Sequence, residues 1–109
     1  MADLQGKVAL VTGGARRLGK AVVLKLAERG ARVVIHYHHS AEDAAATAAE
    51  VERLGGEAQL VQGDLSQIDQ VERIVTEAAA AWDRLDILVN NAAAFFETPI
   101  GQVGEDQWD

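Results

Sequence analysis

A short apolar strand that runs directly into a glycine-rich turn and a helix is the feature that most constrains the fold of this chain. The segment extends from Lys7 to Gly19 and reads KVALVTGGARRLG. Glycine adopts backbone conformations that other residues avoid, and it lets a ligand approach the backbone closely. The following helix would direct its N-terminal N–H groups and the positive end of its dipole at the turn. Strand, turn and helix together predict a site for a nucleotide diphosphate.

The rest of the chain alternates between strand and helix patterns. Continuous apolar runs are typical of strands buried in a parallel sheet, and apolar residues at helical spacing predict amphipathic helices. We expect Ser40 and Ser66 to cap two of the helices, since each is followed three residues later by an acid. The predicted strands are 8–11, 32–37, 58–62 and 86–90, and the predicted helices are 18–29, 41–54 and 67–82.

This order predicts one α/β domain over residues 1–109. Connections too long for hairpins make a parallel sheet, and right-handed crossovers then restrict the topology. The expected architecture is a Rossmann-type doubly wound sheet with strand order 3-2-1-4. A ligand would lie beyond the carboxyl ends of the strands, where the strand order reverses.

Composition excludes several classes of function. The net charge of −7 argues against a general binder of nucleic acid or of anionic membranes. The absence of cysteine excludes disulfides and thiolate metal sites. The N-terminus lacks the apolar core of a signal peptide, and no apolar run reaches membrane-spanning length. We therefore expect a soluble, cytoplasmic protein.

Three ordered motifs resemble those of the short-chain dehydrogenase/reductases, over the whole chain. Within that family the chain is most similar to the pteridine reductases, which have arginine where the common family turn has a glycine. The motifs are the turn Thr12-Gly13-(Gly-Ala-Arg)-Arg17-Leu18-Gly19, the pair Asp64-Leu65, and Asn90-Asn91-Ala92. The run His36-Tyr37-His38, Ser40, and Phe95-Phe96 point to the same subgroup.

The end of the second strand favours NADP(H) over NAD. An NAD-specific fold usually offers an acid there to the ribose 2′-hydroxyl. In this chain no carboxylate occurs between His36 and Glu42. Imidazoles and a hydroxyl can bond a 2′-phosphate, so we expect NADPH affinity to strengthen as the pH falls.

The resemblance implies a set of binding residues, and the 2′-phosphate would lie among Arg17 and the segment from His38 to Ser40. A flat substrate would stack on Phe95 beside Ala93, with Arg17 also in contact. The implied cofactor-binding residues are Thr12, Gly13, Arg16, Arg17, Leu18, Gly19, His36, Tyr37, His38, His39, Ser40, Asp64, Leu65, Asn91 and Ala92.

Several of these residues have a structural alternative. Arg16 and Arg17 would also be ordinary as solvated surface arginines. Asp64 could be a turn aspartate, and Ser40 only a helix cap. Alternation places His36 and His38 on one side of the strand, but nothing completes a zinc site, and we expect no metal.

The resemblance also implies a reduction of a small carbonyl or imine compound by NADPH, and a homo-oligomeric full-length form, either tetramer or dimer. The family's catalytic Tyr-x-x-x-Lys pair is absent, because Tyr37 is the only tyrosine and Ala41 lies four places on. We therefore interpret the chain as an inactive N-terminal fragment with no catalytic residue of its own. The alternatives are a 3-oxoacyl or other carbonyl reductase, and a non-catalytic NADP(H)-sensing module.

Overall fold

The computed structural model describes residues 3–91, and in this part of the chain strands and helices alternate throughout. The second and third strands have the predicted bounds, and the other elements differ from the prediction by one or two residues at their ends. The elements are β1 (Val8–Thr12), α1 (Arg17–Glu28), β2 (Arg32–Tyr37), α2 (Ala41–Arg53), β3 (Ala58–Gln62), α3 (Ile68–Ala81) and β4 (Ile87–Asn90).

The four strands form one parallel sheet in the order β3-β2-β1-β4, which confirms the predicted topology. In the centre of the sheet, Leu10 of β1 pairs with Val34 of β2 on one side and with Leu88 of β4 on the other. The order reverses between β2 and β4 on either side of β1. The carboxyl end of β1 is therefore the position at which such sheets bind ligands.

Helices cover both faces of the sheet. Val8 and Leu10 pack toward α3, in a cluster with Ile74. Val11 packs on the opposite face with Val23 of α1 and Val51 of α2. Alternate residues of one strand thus enter two different cores, as the pleat of a strand requires. Two helices lie on one face and α3 on the other, as the crossover rule predicts.

Two predicted helix caps are not formed. Ser40 is the N-cap residue of α2, but its side chain makes no capping bond. Ser66 is not a cap, because α3 begins after Gln67. Its hydroxyl and its N–H both donate to Asp64 Oδ1, at 2.7 and 2.9 Å. The carboxylate is a stronger acceptor than a neutral group, and the resulting turn delays the start of the helix.

β4 is an edge strand of the described sheet, and Leu88 is 57% exposed although its partner Leu10 is fully buried. An edge of this kind can pair with further strands. Within residues 3–91, no helix is both long and apolar enough to cross a membrane.

α2 is tied to the glycine turn by a buried side chain. Thr47 is 1% exposed, and its hydroxyl donates to the carbonyl oxygen of Ala15 at 2.9 Å. This bond fixes the turn from the α2 side.

We expect Thr47→Val to lower the free energy of unfolding by about 1–3 kcal/mol, because the carbonyl of Ala15 would lose its buried donor while the side-chain shape is kept. Urea unfolding followed by circular dichroism measures the change. Thr76→Val, at an exposed threonine of α3, is the control and should leave the stability within about 0.5 kcal/mol of wild type. Equal stability of the two variants would contradict this role of Thr47.

Candidate functional site

The carboxyl ends of β1 and β4 are joined by side chains at the point where the sheet order reverses. The hydroxyl of Thr12 donates to Asn90 Oδ1 at 3.0 Å. Asn91 Nδ2 donates to the carbonyl oxygen of Gly13 at 3.1 Å. The two asparagines therefore hold the end of β1 and the start of the glycine turn.

Two glycines are required here, one for its backbone conformation and the other for packing. Gly13 has a φ of 65°, a conformation that favours glycine. A Cβ on Gly19 would lie 2.0 Å from the carbonyl oxygen of Gly13 and 2.9 Å from Asn91 Nδ2. α1 can therefore lie against the turn only because position 19 has no side chain.

His36 holds the turn from the β2 side. The N–H of Gly13 donates to His36 Nδ1 at 3.0 Å, and the N–H of Gly14 donates to the carbonyl oxygen of His36 at 3.0 Å. The other ring nitrogen, Nε2, lies 2.9 Å from the carbonyl oxygen of Gly63. Since Nδ1 accepts a bond, the proton of the neutral ring belongs on Nε2, which donates to Gly63.

The environment of His36 favours that neutral ring. The residue is 3% exposed. Burial lowers its pKa below the ordinary value of 6.5, and the charge of His38 lowers it further, although the bond to Gly63 acts in the opposite direction. Both ring nitrogens are used inside the protein, so His36 is placed to shape the turn. Sequence reasoning missed this contact; the available signal was a lone polar residue in an apolar central strand.

The N-terminus of α1 contributes basic side chains to the turn. Its N-cap residue, Arg16, makes no side-chain capping bond, and the first turn of the helix contains no acid. Arg16 forms an ion pair with Asp43 of α2 at 3.7 Å, in which both side chains are half exposed. Arg17 has a φ of 57°, so the arginine stands where the backbone favours glycine.

The last residue of β2 and the segment that follows the strand provide imidazoles and hydroxyls. Tyr37 is half-buried, whereas His38 and His39 are exposed, with ring centroids 3.8 Å apart. Gln62 Nε2 donates to the carbonyl oxygen of His38 at 3.0 Å, which joins this segment to the end of β3. Ser40 completes the run at the start of α2.

The pair Asp64-Leu65 follows β3. The bonds from Ser66 hold the pKa of Asp64 below its ordinary value, with a smaller contribution from the charges of His38 and His39. Leu65 is 8% exposed and belongs to the core on the α3 side. The turn-aspartate alternative therefore describes what Asp64 does in the folded chain, and an additional contact with adenine stays a prediction.

The structure thus brings together most of the residues predicted for the site. The ends of β1, β2 and β4, the glycine turn and the start of α1 meet at one edge of the sheet. A helix terminus that has no acid in its own first turn, carries two arginines and lies beside glycine backbone is chemically suited to the diphosphate of a dinucleotide. The predicted residues Ala92, Ala93 and Phe95 lie outside the described residues.

We expect Gly19→Ala to destabilise the chain by about 3 kcal/mol, because the new Cβ would meet the backbone oxygen of Gly13, which cannot rotate away. Chemical unfolding measures this loss. The matched control is Gly56→Ala, where the nearest atom is Val51 Cγ1 at 3.1 Å, a side-chain end that can shift. If Gly19→Ala is no more harmful than Gly56→Ala, the packing explanation of Gly19 is wrong.

Comparison with known proteins gives one family. The sequence profile of the short-chain dehydrogenases matches residues 7–109. A short-chain dehydrogenase/reductase from Pestalotiopsis microspora is 39% identical over 106 residues, which is 97% of this chain and 40% of that protein. A hydroxynaphthalene reductase from Aspergillus fumigatus is 43% identical over 89 residues, covering 82% of this chain and 33% of that protein. The chain thus spans 40% or less of the length of these two relatives.

Solved structures agree with the fold. A dehydrogenase from Burkholderia cenocepacia with bound NADP has a TM-score of 0.77 at 38% identity, covering 83% of this chain and 35% of that one. A short-chain dehydrogenase/reductase from Serratia marcescens has a TM-score of 0.79 at 43% identity, covering 82% of this chain and 36% of that one.

Proposed function

The chain belongs to the short-chain dehydrogenase family, and from that premise we propose that it is the NADP(H)-binding portion of an oxidoreductase acting on a small carbonyl or imine compound. The observation that carries the proposal is the joint between β1 and α1, where the turn presents a helix N-terminus that carries Arg16 and Arg17 and has no acid in its own first turn. The Burkholderia cenocepacia relative with bound NADP supports the choice of cofactor. When bound, NADPH supplies the hydride for the reduction.

We assign the diphosphate to the first turn of α1. The N–H groups of Gly13 and Gly14 already donate to His36. The N–H groups that bond the diphosphate must therefore belong to residues later in the chain. Leu18 and Gly19 lie in the first turn of α1, where N–H groups have no intrahelical acceptor. Arg16 can contribute as well, since its exposed ion pair with Asp43 is of a kind that contributes little to stability.

The 2′-phosphate is assigned to Arg17 and the segment His38–Ser40. These residues offer a guanidinium, two imidazoles and a hydroxyl, all of which can bond an anion. Tyr37 lies at the end of β2 beside them. On this proposal Tyr37 and the segment His38–Ser40 contact the cofactor. His36 does not contact it, but holds the glycine turn through its hydrogen bond with Gly13.

The remaining cofactor contacts follow the strand ends. We assign the adenine to Asp64 and Leu65, and the ribose on the nicotinamide side to Asn91 and Ala92. Thr12 supports this end of the site through its bond to Asn90. The carboxylate of Asp64 keeps acceptor capacity beyond the two bonds from Ser66, because an ionised carboxylate offers about four acceptor positions.

For the substrate we propose a flat, fused-ring carbonyl compound, in contact with Arg17, Ala93 and Phe95. The relatives from Aspergillus fumigatus and Zymoseptoria tritici are named as reductases of hydroxynaphthalenes, which are flat two-ring compounds. Those names do not support the pterin substrate expected from the resemblance to pteridine reductases. They favour the carbonyl-reductase alternative.

This chain by itself should bind cofactor without catalysing reduction. Its only tyrosine, Tyr37, belongs to the cofactor side of the site, and no lysine follows it at the spacing that the family uses. We propose that the proton donor for the reduced carbonyl comes from residues that these 109 do not contain, and that the full-length form is a homo-oligomer.

Calorimetric titration of the chain should show NADPH binding more tightly than NADH by about tenfold or more, because the 2′-phosphate gains charge-assisted bonds. Arg17→Ala should weaken NADPH binding by about tenfold and leave NADH nearly unchanged. Arg17→Gly is the matched control for the backbone, since glycine accepts the φ of 57° without strain. It should lose NADPH preference to the same extent as the alanine variant.

A chain that binds NADH as tightly as NADPH would contradict the 2′-phosphate assignment. If Arg17→Gly kept the preference and Arg17→Ala lost it, the effect would come from the backbone conformation and not from the guanidinium. Circular dichroism of each variant confirms that the titrations compare folded chains.

A further inference from the structure

We propose that His36 is a positioning residue of the dinucleotide site: its neutral imidazole fixes the first glycine of the turn, and cofactor affinity falls when the ring is protonated. This inference rests on the proposed function and concerns a residue that does not itself touch the cofactor. It follows from the hydrogen bonds around the ring and from its burial.

His36 connects three strand ends. Its Nδ1 accepts from the N–H of Gly13, directly after β1, and its Nε2 donates to the carbonyl oxygen of Gly63, directly after β3. Its own carbonyl oxygen accepts from the N–H of Gly14. Gly13 has a φ of 65° and its carbonyl oxygen lies against Gly19, so a displacement of Gly13 moves the start of α1. The position of the phosphate-binding helix terminus therefore depends on the ring.

Protonation would replace the acceptor at Nδ1 by a second donor. The N–H of Gly13 would then face the N–H of the protonated ring, at a residue that is only 3% exposed to solvent. A buried donor without an acceptor is costly, so the turn must move away from the ring. Binding requires the neutral form, and proton uptake opposes binding.

Among the residues that the structure describes, no acid is bonded to the ring. The charged or titratable groups on the elements that meet at this corner of the sheet are His38 directly after β2, Asp64 after β3, Arg73 of α3, which donates to the carbonyl oxygen of Gln62 at 2.7 Å, and Arg16 and Arg17 at the turn. Four of these five groups are basic, and the fifth, Asp64, is bonded to Ser66. Positive neighbours disfavour a charged imidazole.

The stability that His36 contributes falls toward acid pH. Because the pKa of His36 is lowered in the folded chain, stability from this residue is complete above about pH 6.5, the ordinary value. Below that value the unfolded chain takes up the proton first and stability declines. As the pH falls further, through the lowered folded-state pKa, the ring in the fold is protonated and the turn opens.

Two substitutions of His36 each remove one of the two hydrogen bonds that the ring makes. In asparagine, Oδ1 is two bonds from Cβ, as is Nδ1 in histidine, so His36→Asn keeps an acceptor for Gly13 and loses the donor to Gly63. In glutamine, Nε2 is three bonds from Cβ, as in histidine, so His36→Gln keeps the donor to Gly63 and loses the acceptor for Gly13. Both variants are destabilised, but only one keeps the bond to the turn. Val51→Ala, a core variant on the other face of the sheet, controls for lost stability alone.

The experiment is a set of NADPH titrations of the folded chain and its variants between pH 5.5 and 8. At pH 8 we expect His36→Asn to stay within about threefold of wild type, as does Val51→Ala, and His36→Gln to weaken binding about tenfold or more. The ratio of the wild-type dissociation constant to that of His36→Asn should rise toward acid pH. The other groups that contact the cofactor are the same in both proteins, so their contribution cancels in this ratio.

Equal losses in His36→Asn and His36→Gln, or a ratio independent of pH, would overturn the proposal. If the wild-type chain binds neither NADPH nor NADH, the proposed function fails instead. Nitrogen-15 NMR then still decides the role of His36: the inference requires a ring protonated at Nε2 at neutral pH and an amide signal of Gly13 that moves in step with the ring's titration. A ring protonated at Nδ1 contradicts it.

Discussion

The close contact between α1 and the glycine turn is the constraint on which the site depends. Gly19 lies so near the carbonyl oxygen of Gly13 that no side chain fits between them. Asn91 holds the same oxygen, and His36 holds the N–H of the same residue. The turn is thus fixed from β4, β2 and α1 together, and the N-terminus of α1 is directed at the edge of the sheet where the strand order reverses.

The fold could be predicted from the sequence because its signals are local and repeated. The apolar run of β1, the amphipathic helices and the long connections each favour the same parallel sheet, and handedness then fixes the order. Helix starts were less predictable. Ser66 has the sequence pattern of a cap, but the carboxylate of Asp64, two residues earlier, competes for it successfully. Such competition depends on side-chain geometry that spacing alone does not contain.

Much of the candidate site was also predictable, since the glycine turn and the asparagines after β4 are defined by motif. The roles of individual residues were not. His36 and His38 share one strand end and one side-chain type, yet the first is buried with both nitrogens bonded inside the protein and the second is exposed. His36 still belongs to β2 and pairs with Val61 of β3, whereas His38 lies after the end of the strand, and the exact end of a strand is a tertiary fact that a single sequence leaves open.

The most direct test of the account is amide NMR of the isotope-labelled chain during titration with NADPH. The account predicts that the largest shifts fall on residues 13–20, at the turn and the start of α1, and on residues 38–41, after β2. The amino ends of the strands, such as Val8 and Arg32, should change little. Largest shifts at those amino ends, or shifts spread evenly over the sheet, would show that the glycine turn is not the cofactor site.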